Sequence, residues 1–245
     1  MEGLSLKKKL NGKQVEKLAE DFENKTPPET LKWALDQFHP RIALASSFSL
    51  EDGVITDMLS KINPKFRVFT LDTGRLNQET YSLIDRIRAR YDVPIEVYYP
   101  DTASVEKMVR EHGMNLFYES VDSRRLCCNV RKVEPLMRAL SSLDAWITGL
   151  RREQSITRTA VKKIEIDEAH NNIVKINPLA DWTEEMVWDY TKKNGIPHNL
   201  LYDKGYTSIG CEPCTRPIKP GEDIRAGRWW WESADKKECG LHVHK

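Results

Sequence analysis

Short apolar segments alternate with amphipathic helical segments along most of this 245-residue chain. Such alternation is typical of βαβ units, in which successive strands lie parallel in one sheet. The predicted strands are residues 41–48, 66–71, 94–99, 145–149 and 174–177. Helical periodicity predicts two helices in the first 40 residues and others over residues 51–62, 78–91, 102–112, 130–140 and 181–193. The sequence therefore predicts an α/β fold with a mostly parallel sheet.

Polar residues directly follow three of the predicted strands. They are Ser46-Ser47-Phe48-Ser49, Leu71-Asp72-Thr73-Gly74-Arg75 and Gly149-Leu150-Arg151-Arg152. Backbone N–H groups at a helix start bind anions, and arginine forks suit phosphate or sulfate oxygens. A serine helix cap, an aspartate turn and a solvated basic loop are the alternatives. Because parallel strands bind ligands at their carboxyl ends, three such motifs at one edge favour a ligand site.

Four of the five cysteines form two close pairs, Cys127-Cys128 and Cys211-x-x-Cys214. In a reducing compartment such pairs indicate a metal or redox site rather than structural disulfides. Four thiolates can hold an iron–sulfur cluster or zinc. Zinc sites usually use two Cys-x-x-Cys units, and only one pair has that spacing, which favours a cluster. Buried free thiols remain the alternative.

The fifth cysteine, Cys239, lies alone six residues from the end of the sequence. Lys236, Lys237, His242 and His244 lie nearby, and positive charge lowers the pKa of a thiol. The pattern is typical of a nucleophile, with an incidental surface cysteine as the alternative. From about Gly205 the periodicity fades, so we predict one unit over residues 1–204 and a second segment, 205–245, whose fold depends on its metal site.

The charge balance indicates which partners the chain does not attract. The net charge is +1 and the pI is about 7.6, so no bulk field recruits nucleic acid or an anionic membrane. No apolar stretch approaches the roughly 20 residues that span a bilayer. The N-terminus has no secretory apolar region, and we therefore expect a cytosolic protein.

Together, the strand-end serines, the two cysteine pairs and the terminal Glu238-Cys239-Gly240-Leu241-His242 resemble the assimilatory sulfonucleotide reductases, specifically the iron–sulfur adenylyl-sulfate (APS) reductases. The resemblance covers nearly the whole chain. It implies a Rossmann-like adenine-nucleotide α-hydrolase fold, of the PP-loop type, with a C-terminal catalytic tail. Compared with the PP-loop pattern Ser-Gly-Gly-x-Asp-Ser, the chain has lost the glycines over residues 47–52.

The resemblance also implies a site. Cys127, Cys128, Cys211 and Cys214 would ligate a [4Fe–4S] cluster, and Cys239 would be the catalytic residue. The loops 46–52, 71–75 and 149–157 would hold the nucleotide, and basic residues would meet its phosphate and sulfate. The implied substrate-binding residues are Ser46, Ser47, Phe48, Ser49, Glu51, Asp52, Leu71, Asp72, Thr73, Gly74, Arg75, Lys132, Gly149, Arg151, Arg152, Arg225, Arg228 and His242.

The implied chemistry is attack of Cys239 on the sulfate sulfur, loss of AMP and formation of an S-sulfocysteine. Thioredoxin, or a glutaredoxin-like reductant, would then release sulfite. Thiol exchange supplies both electrons, so an electrostatic or structural role is expected for the cluster. Since the sequence ends soon after Cys239, we expect the reductant to be a separate protein. The resemblance leaves room for a homo-oligomer.

Three alternatives remain open at this point. The first is a 3′-phosphoadenylyl-sulfate (PAPS) reductase, or an enzyme that uses both substrates. The cysteine pairs favour APS, because PAPS reductases usually lack them. A tRNA-thiolating PP-loop enzyme would have an intact glycine-rich loop and a basic surface. A non-catalytic regulator that binds a cluster or zinc would have no use for Cys239.

Overall fold

A computed structural model describes residues 10–155 and 158–233. The helices are α1 (Gly12–Phe22), α2 (Pro27–Phe38), α3 (Leu50–Ile62), α4 (Gln78–Tyr91), α5 (Thr102–His112), α6 (Val121–Cys128), α7 (Glu134–Leu140) and α8 (Glu184–Lys193). The strands are β1 (Ile42–Ala45), β2 (Val68–Leu71), β3 (Ile95–Tyr98), β4 (Ala145–Ile147), β5 (Ile164–Asp167) and β6 (Ile173–Ile176). This succession confirms the predicted α/β class.

The six strands form one sheet in the order β3-β2-β1-β4-β6-β5. All neighbouring pairs are parallel except β5 and β6, which are antiparallel. From β1 the chain winds outward through β2 and β3, then returns to place β4 on the other side of β1. The carboxyl ends of β1 and β4 therefore border a topological switch point, the usual position of a ligand in such sheets.

Apolar side chains cover both faces of the sheet. One face packs against α2, α3 and α8, with Leu31, Val54 and Val187 fully buried. The other face packs against α7, whose Leu136 and Ala139 lie against Phe69 and Trp146. Burial on both faces explains why the central strands β1, β2 and β4 are mostly apolar, whereas the edge strands β3 and β5 alternate apolar and charged residues.

Three details of the sequence prediction were wrong. Strand β5 was missed, and it forms the antiparallel edge. Helix α6, which ends at Cys128, was also missed. The predicted helix over residues 130–140 instead opens with a π-helical turn, Asn129–Val133, before α7 begins. The predicted helix over residues 181–193 corresponds to α8, which begins at Glu184 and has Thr183 as its N-cap.

Residues 205–233 have little regular structure. In the described part, residues 205–233, a 3₁₀ turn at Glu212–Cys214 is accompanied by isolated bridges from Cys211 to Leu76 and from Thr215 to Arg228. No helix among the described residues is long and apolar enough to cross a membrane.

Candidate active site

A cavity of about 270 Å³ lies at the carboxyl ends of β1, β2 and β4, at the switch point of the sheet. Residues from the three strand-end motifs line it, together with α7 and the segment 207–228. The predicted site residues that line it are Ser46, Ser47, Ser49, Glu51, Asp52, Leu71, Thr73, Lys132, Gly149, Arg151, Arg225 and Arg228. Most of the predicted substrate-binding set is thus brought to one cavity.

The serine loop after β1 both caps a helix and lines the cavity. Ser49 is the N-cap of α3, and its side chain accepts a hydrogen bond from the backbone N–H of Asp52. In return, Asp52 Oδ2 accepts hydrogen bonds from the backbone N–H and hydroxyl of Ser47, at 2.7 and 3.0 Å, and from the N–H of Ser49. A carboxylate of the chain itself therefore takes N–H groups that in a PP-loop would face phosphate.

Phe48 turns away from the cavity. Its φ of 59° is left-handed, and its ring packs in a buried cluster with Leu83 and Ile87 of α4. The residue thus anchors the loop to α4.

Burial, followed by repulsion from Glu51, raises the pKa of Asp52 from 3.8 to about 6, although the hydrogen bonds from Ser47 and Ser49 oppose the change. The folded chain therefore binds this proton more tightly than the unfolded chain. We expect the free energy of unfolding to fall, relative to an Asp52→Asn variant, as the pH rises from 5 to 7.5 through about 6. Urea unfolding of both proteins across that range checks this. Parallel pH profiles would contradict it.

The two adjacent arginines after β4 have different positions. Arg151 is buried, and its Nε donates to Glu51 at 2.8 Å, which ties the β4 loop to the start of α3. Arg152 pairs with Glu23, at the end of α1, through two hydrogen bonds of 2.7 and 2.9 Å. The guanidinium of Arg152 therefore links the β4 loop to the end of α1, whereas that of Arg151 forms an ion pair within the cavity wall.

The loop after β2 connects the first cavity to a second one. Asp72 accepts from the Gly74 N–H at 2.8 Å, an aspartate turn, and from the Tyr81 hydroxyl at 2.9 Å. Gly74 has a φ of 69°, a left-handed value that favours glycine. Leu71 and Thr73 line the first cavity, and Arg75 lines the second.

All four paired cysteines line the second cavity, which is much smaller. Its other lining residues are Arg75, Phe117, Arg124, Arg131, Lys132, Pro213, Arg228 and Trp229. Lys132 and Arg228 line both cavities. Thr73 also borders the first cavity, and its hydroxyl lies 3.2 Å from the Cys211 sulfur in the second. The predicted ligand site and the predicted metal site are therefore neighbours with shared walls.

The backbone around the adjacent cysteines explains how one short segment serves this second cavity. Cys127 and Cys128 end α6, and the π-helical turn follows at once. Arg131 and Lys132 come three and four residues after Cys128, a spacing that puts side chains on one helix face. Such π turns are rare and often occur at functional sites.

The surroundings of the thiols suit an anionic group. The four described cysteines are free thiols. Arg131 Nε, Arg228 Nε and Trp229 Nε1 are buried with no hydrogen-bond partner among the described residues. Burial raises the pKa of Cys214 to about 12. At Cys211 burial acts in the same direction, but Lys132, Thr73 and Arg228 outweigh it and lower the pKa. Four thiols beside unpaired cationic and indole donors fit an iron–sulfur cluster, whose sulfur atoms accept hydrogen bonds.

No group of three His, Cys, Asp or Glu residues in the described ranges is arranged to hold a single metal ion. The thiols border a cavity rather than meeting at one point. In a four-iron cluster each thiolate binds a different iron, so its ligands surround a volume.

Two predicted residues, Cys239 and His242, lie outside the described residues. Several lining residues of the first cavity are not in the predicted substrate-binding set, among them Trp146, Thr148, Gln154 and Arg158. Trp146 and Thr148 belong to the predicted strand 145–149, which leads into the marked motif at Gly149. Gln154 lies within the loop 149–157 that the resemblance assigns to the nucleotide, and Arg158 directly follows that loop.

A Rossmann-like sheet with a basic cavity at its switch point defines a protein that binds an anionic ligand, here beside a cluster of thiols. Residues 41–217 match the family described as the phosphoadenosine phosphosulfate reductase domain. The chain belongs to this family.

Relatives from several bacteria are similar over most of their length. The adenosine 5′-phosphosulfate reductase of Burkholderia cepacia is 54% identical over 205 residues, which is 84% of this chain and 82% of the relative. The protein of the same name from Neisseria meningitidis serogroup B (strain ATCC BAA-335 / MC58) is 50% identical, over 87% of this chain and 88% of the relative.

Solved structures agree with the fold. A phosphate complex of phosphoadenylyl-sulfate (PAPS) reductase from Candida auris has a TM-score of 0.74 at 32% identity, covering 84% of this chain and 98% of that one. The FMN adenylyltransferase of Candida glabrata, in complex with FAD and inorganic pyrophosphate, has a TM-score of 0.55 at 14% identity, covering 88% of this chain and 79% of that one. The adenine-nucleotide α-hydrolase fold predicted from the sequence is thereby confirmed.

Proposed function

We propose that the protein reduces adenosine 5′-phosphosulfate to sulfite and AMP in assimilatory sulfate reduction, with Cys239 as the nucleophile and thioredoxin as the reductant. It is an oxidoreductase acting on a sulfur group. The observation that carries the proposal is the shared wall of the two cavities, where Lys132 and Arg228 border both the nucleotide space and the cysteines. The relatives named for this activity, at 54% and 50% identity, support the substrate.

The first cavity binds the nucleotide. Leu136, Phe69 and Trp146 provide apolar surface on its α7 side, suited to a base. Lys132 and Arg228 provide positive charge where the cavity borders the cysteines, and Arg225 adds charge to its wall, which suits phosphate and sulfate. We therefore assign the adenosine to the apolar part and the phosphosulfate to the part that borders the thiols.

The reaction then follows from ordinary sulfur chemistry. The Cys239 thiolate forms a bond to the sulfate sulfur, and the bond from sulfur to the bridging oxygen breaks, so that AMP leaves with the electron pair. Cationic groups around the sulfate oxygens lower the repulsion that the thiolate meets. One thiolate of thioredoxin attacks the Cys239 sulfur, the bond from that sulfur to the sulfonate sulfur breaks, and sulfite leaves with the electron pair. The second thioredoxin thiolate attacks the resulting mixed disulfide, which closes the thioredoxin disulfide and releases the Cys239 thiolate. The dithiol supplies the two electrons, so the balance closes without a further reductant.

The four paired cysteines hold a [4Fe–4S] cluster in this proposal. Cys127 and Cys128 approach from α6, and Cys211 and Cys214 from the 3₁₀ turn of the C-terminal segment. When bound, the cluster supplies a fixed charge beside the sulfate and a covalent tie between the two segments. Arg131, Lys132 and Arg228 balance that charge.

The test is sulfite release by anaerobically purified protein with excess thioredoxin, offered APS and PAPS side by side. We expect sulfite from APS. Release from PAPS at a comparable rate would make the protein a dual-specificity enzyme, an alternative supported by the similarity to the Candida auris PAPS reductase. No release from either substrate would contradict the proposal.

Gly149 packs closely against the start of α3 in the wall of the nucleotide cavity. A Cβ at this position would lie 2.7 Å from Asp52 Oδ1 and 2.9 Å from Glu51 Cβ, closer than van der Waals contact allows. Gly149→Ala therefore has to displace Asp52 and Glu51, which line the cavity, and we expect it to weaken AMP binding about tenfold and to lower the free energy of unfolding by about 1–3 kcal/mol. Calorimetric titration with AMP measures this. Gly12→Ala is the matched control, since a Cβ at Gly12 meets nothing within 4 Å. Equal affinities in the two variants would contradict the assignment.

A further inference from the structure

A buried ion pair joins the cysteine-bearing helix to the last described turn of the chain. Arg124, on α6, donates to Glu232 from Nε at 3.0 Å and from Nη2 at 2.9 Å, a bidentate pair. The Arg124 side chain is 2% exposed and that of Glu232 is 3% exposed. Two charges leave water at a large cost, and a bidentate pair of this kind offsets the cost only if its geometry is held.

Arg124 also contacts the cluster site directly. It lies four residues before Cys128 on α6, a spacing that places both side chains on one helix face, and both residues line the cysteine cavity. Its guanidinium lies 4.6 Å from the ring centre of Trp229, and Arg228 lies at the same distance from the same ring. One guanidinium thus contacts a buried aromatic ring and Glu232 at the wall of the cavity that the cysteines line.

Glu232 lies close in sequence to the proposed nucleophile, Cys239. Cys239 follows Glu232 by seven residues, which span at most about 25 Å when extended. Arg228, four residues before Glu232, lines both cavities. The backbone N–H of Glu232 also donates to the carbonyl of Trp229 at 2.8 Å. The segment that carries the nucleophile therefore leaves from a fixed point close to the shared wall.

We infer that Arg124 and Glu232 are positioning residues, whose ion pair fixes the departure point of the Cys239 segment and ties it to the helix that carries Cys127 and Cys128. Orientation of a nucleophile can contribute strongly to rate, and a small misplacement is costly. Coupling between two sites is reciprocal. If the bound cluster stabilises the Arg124–Glu232 ion pair, the ion pair stabilises the bound cluster by the same free energy. The inference rests on the proposed role of Cys239.

The test compares Glu232→Gln, Arg124→Gln and the double variant with Glu222→Gln. Glu222 forms the same kind of bidentate pair with Arg216 in the same segment, but it is partly exposed and outside both cavities. The first measurement is single-turnover formation of the S-sulfo adduct on Cys239, followed by mass spectrometry. The others are AMP affinity, the rate of iron loss to a chelator, and the rate of Cys239 alkylation without nucleotide.

We expect Glu232→Gln to slow adduct formation about ten- to a hundredfold with unchanged AMP affinity, and to hasten both iron loss and alkylation of Cys239. The double variant should lose no more than the worse single one, since both remove the same interaction. Glu222→Gln should match the wild type. Adduct formation at the wild-type rate in Glu232→Gln overturns the inference, and so does a loss that merely follows a fall in AMP affinity.

Failure of the proposed function would be visible separately. If the wild type forms no adduct with APS or PAPS, the proposed activity is wrong. The alkylation rate of Cys239 then still decides the anchoring: faster alkylation in Glu232→Gln than in Glu222→Gln supports it, and equal rates overturn it.

Discussion

Replacement of Cys239 by serine is expected to lower sulfite release from APS by roughly a thousandfold or more, the size of loss seen when a catalytic nucleophile is removed. A serine hydroxyl is far less acidic than a thiol, so it forms almost no nucleophilic anion near neutral pH. The measurement is steady-state sulfite release with excess thioredoxin, together with mass spectrometry for the S-sulfo adduct.

The same variant should keep its iron and its affinity for AMP. The four paired cysteines line the cluster cavity, and the nucleotide cavity is formed by strand-end loops and residues up to Arg228. The paired cysteines supply the four thiolates that a [4Fe–4S] cluster needs, so that set stays complete when the Cys239 thiol is removed. Loss of iron in Cys239→Ser would show that Cys239 is a ligand and would contradict its assignment as the nucleophile. Retained activity would favour a protein in which this thiol has no catalytic use.

The sequence predicted the sheet well because local and tertiary preferences agree there. Buried parallel strands are short apolar runs bounded by polar turns, and β1, β2 and β4 have that form most clearly. Strand β5 was missed because Ile164-Glu165-Ile166-Asp167 alternates only briefly and pairs as an antiparallel edge. Its partner is known only once β6 is in place, and that pairing is not a local property of the sequence.

At the cavity the sequence identified loops better than it identified side-chain directions. Arg151 and Arg152 are adjacent and chemically alike, yet one pairs with Glu51 in the cavity wall and the other with Glu23 on α1. Both partners are distant in sequence, so nothing local distinguishes the two arginines. For the serine loop, the sequence offered a helix cap and a ligand site as alternatives. The structure has both, since Ser49 caps α3 and also lines the cavity.

Helix α6 was missed because its sequence, Val121–Cys128, is mostly polar and has only a weak apolar stripe. Its stability comes from tertiary contacts. Arg124 is buried against Glu232 and Trp229, and Cys127 and Val130 pack with Phe117. The helix is thus held by the C-terminal segment that it faces, and that segment in turn has little regular structure of its own. Helix α6 and the C-terminal segment therefore stabilise each other.

Replacement of Cys214 by serine is expected to remove most of the iron and to loosen residues 205–233 while the sheet remains folded. In this segment the 3₁₀ turn Glu212–Cys214 contacts the rest of the domain through individual hydrogen bonds and buried side chains rather than through a regular strand or helix. They include the backbone bond from Glu212 to Arg75 and the bond from the Tyr118 hydroxyl to the carbonyl of Pro213. Loss of one of the four thiolate ligands would release the cluster, and with it the covalent link between this segment and α6.

Iron content, limited proteolysis with mapping of the cut sites, and AMP affinity measure the three parts of this prediction. We expect new cuts within residues 205–233 and a large loss of sulfite release. Leu59→Ala is the matched control, because Leu59 is 1% exposed in the core of the sheet. That substitution should cost about 2–5 kcal/mol of stability without loss of iron. A Cys214→Ser protein with normal iron content would contradict the four-cysteine site, and protection from proteolysis despite iron loss would show that the segment folds without the cluster.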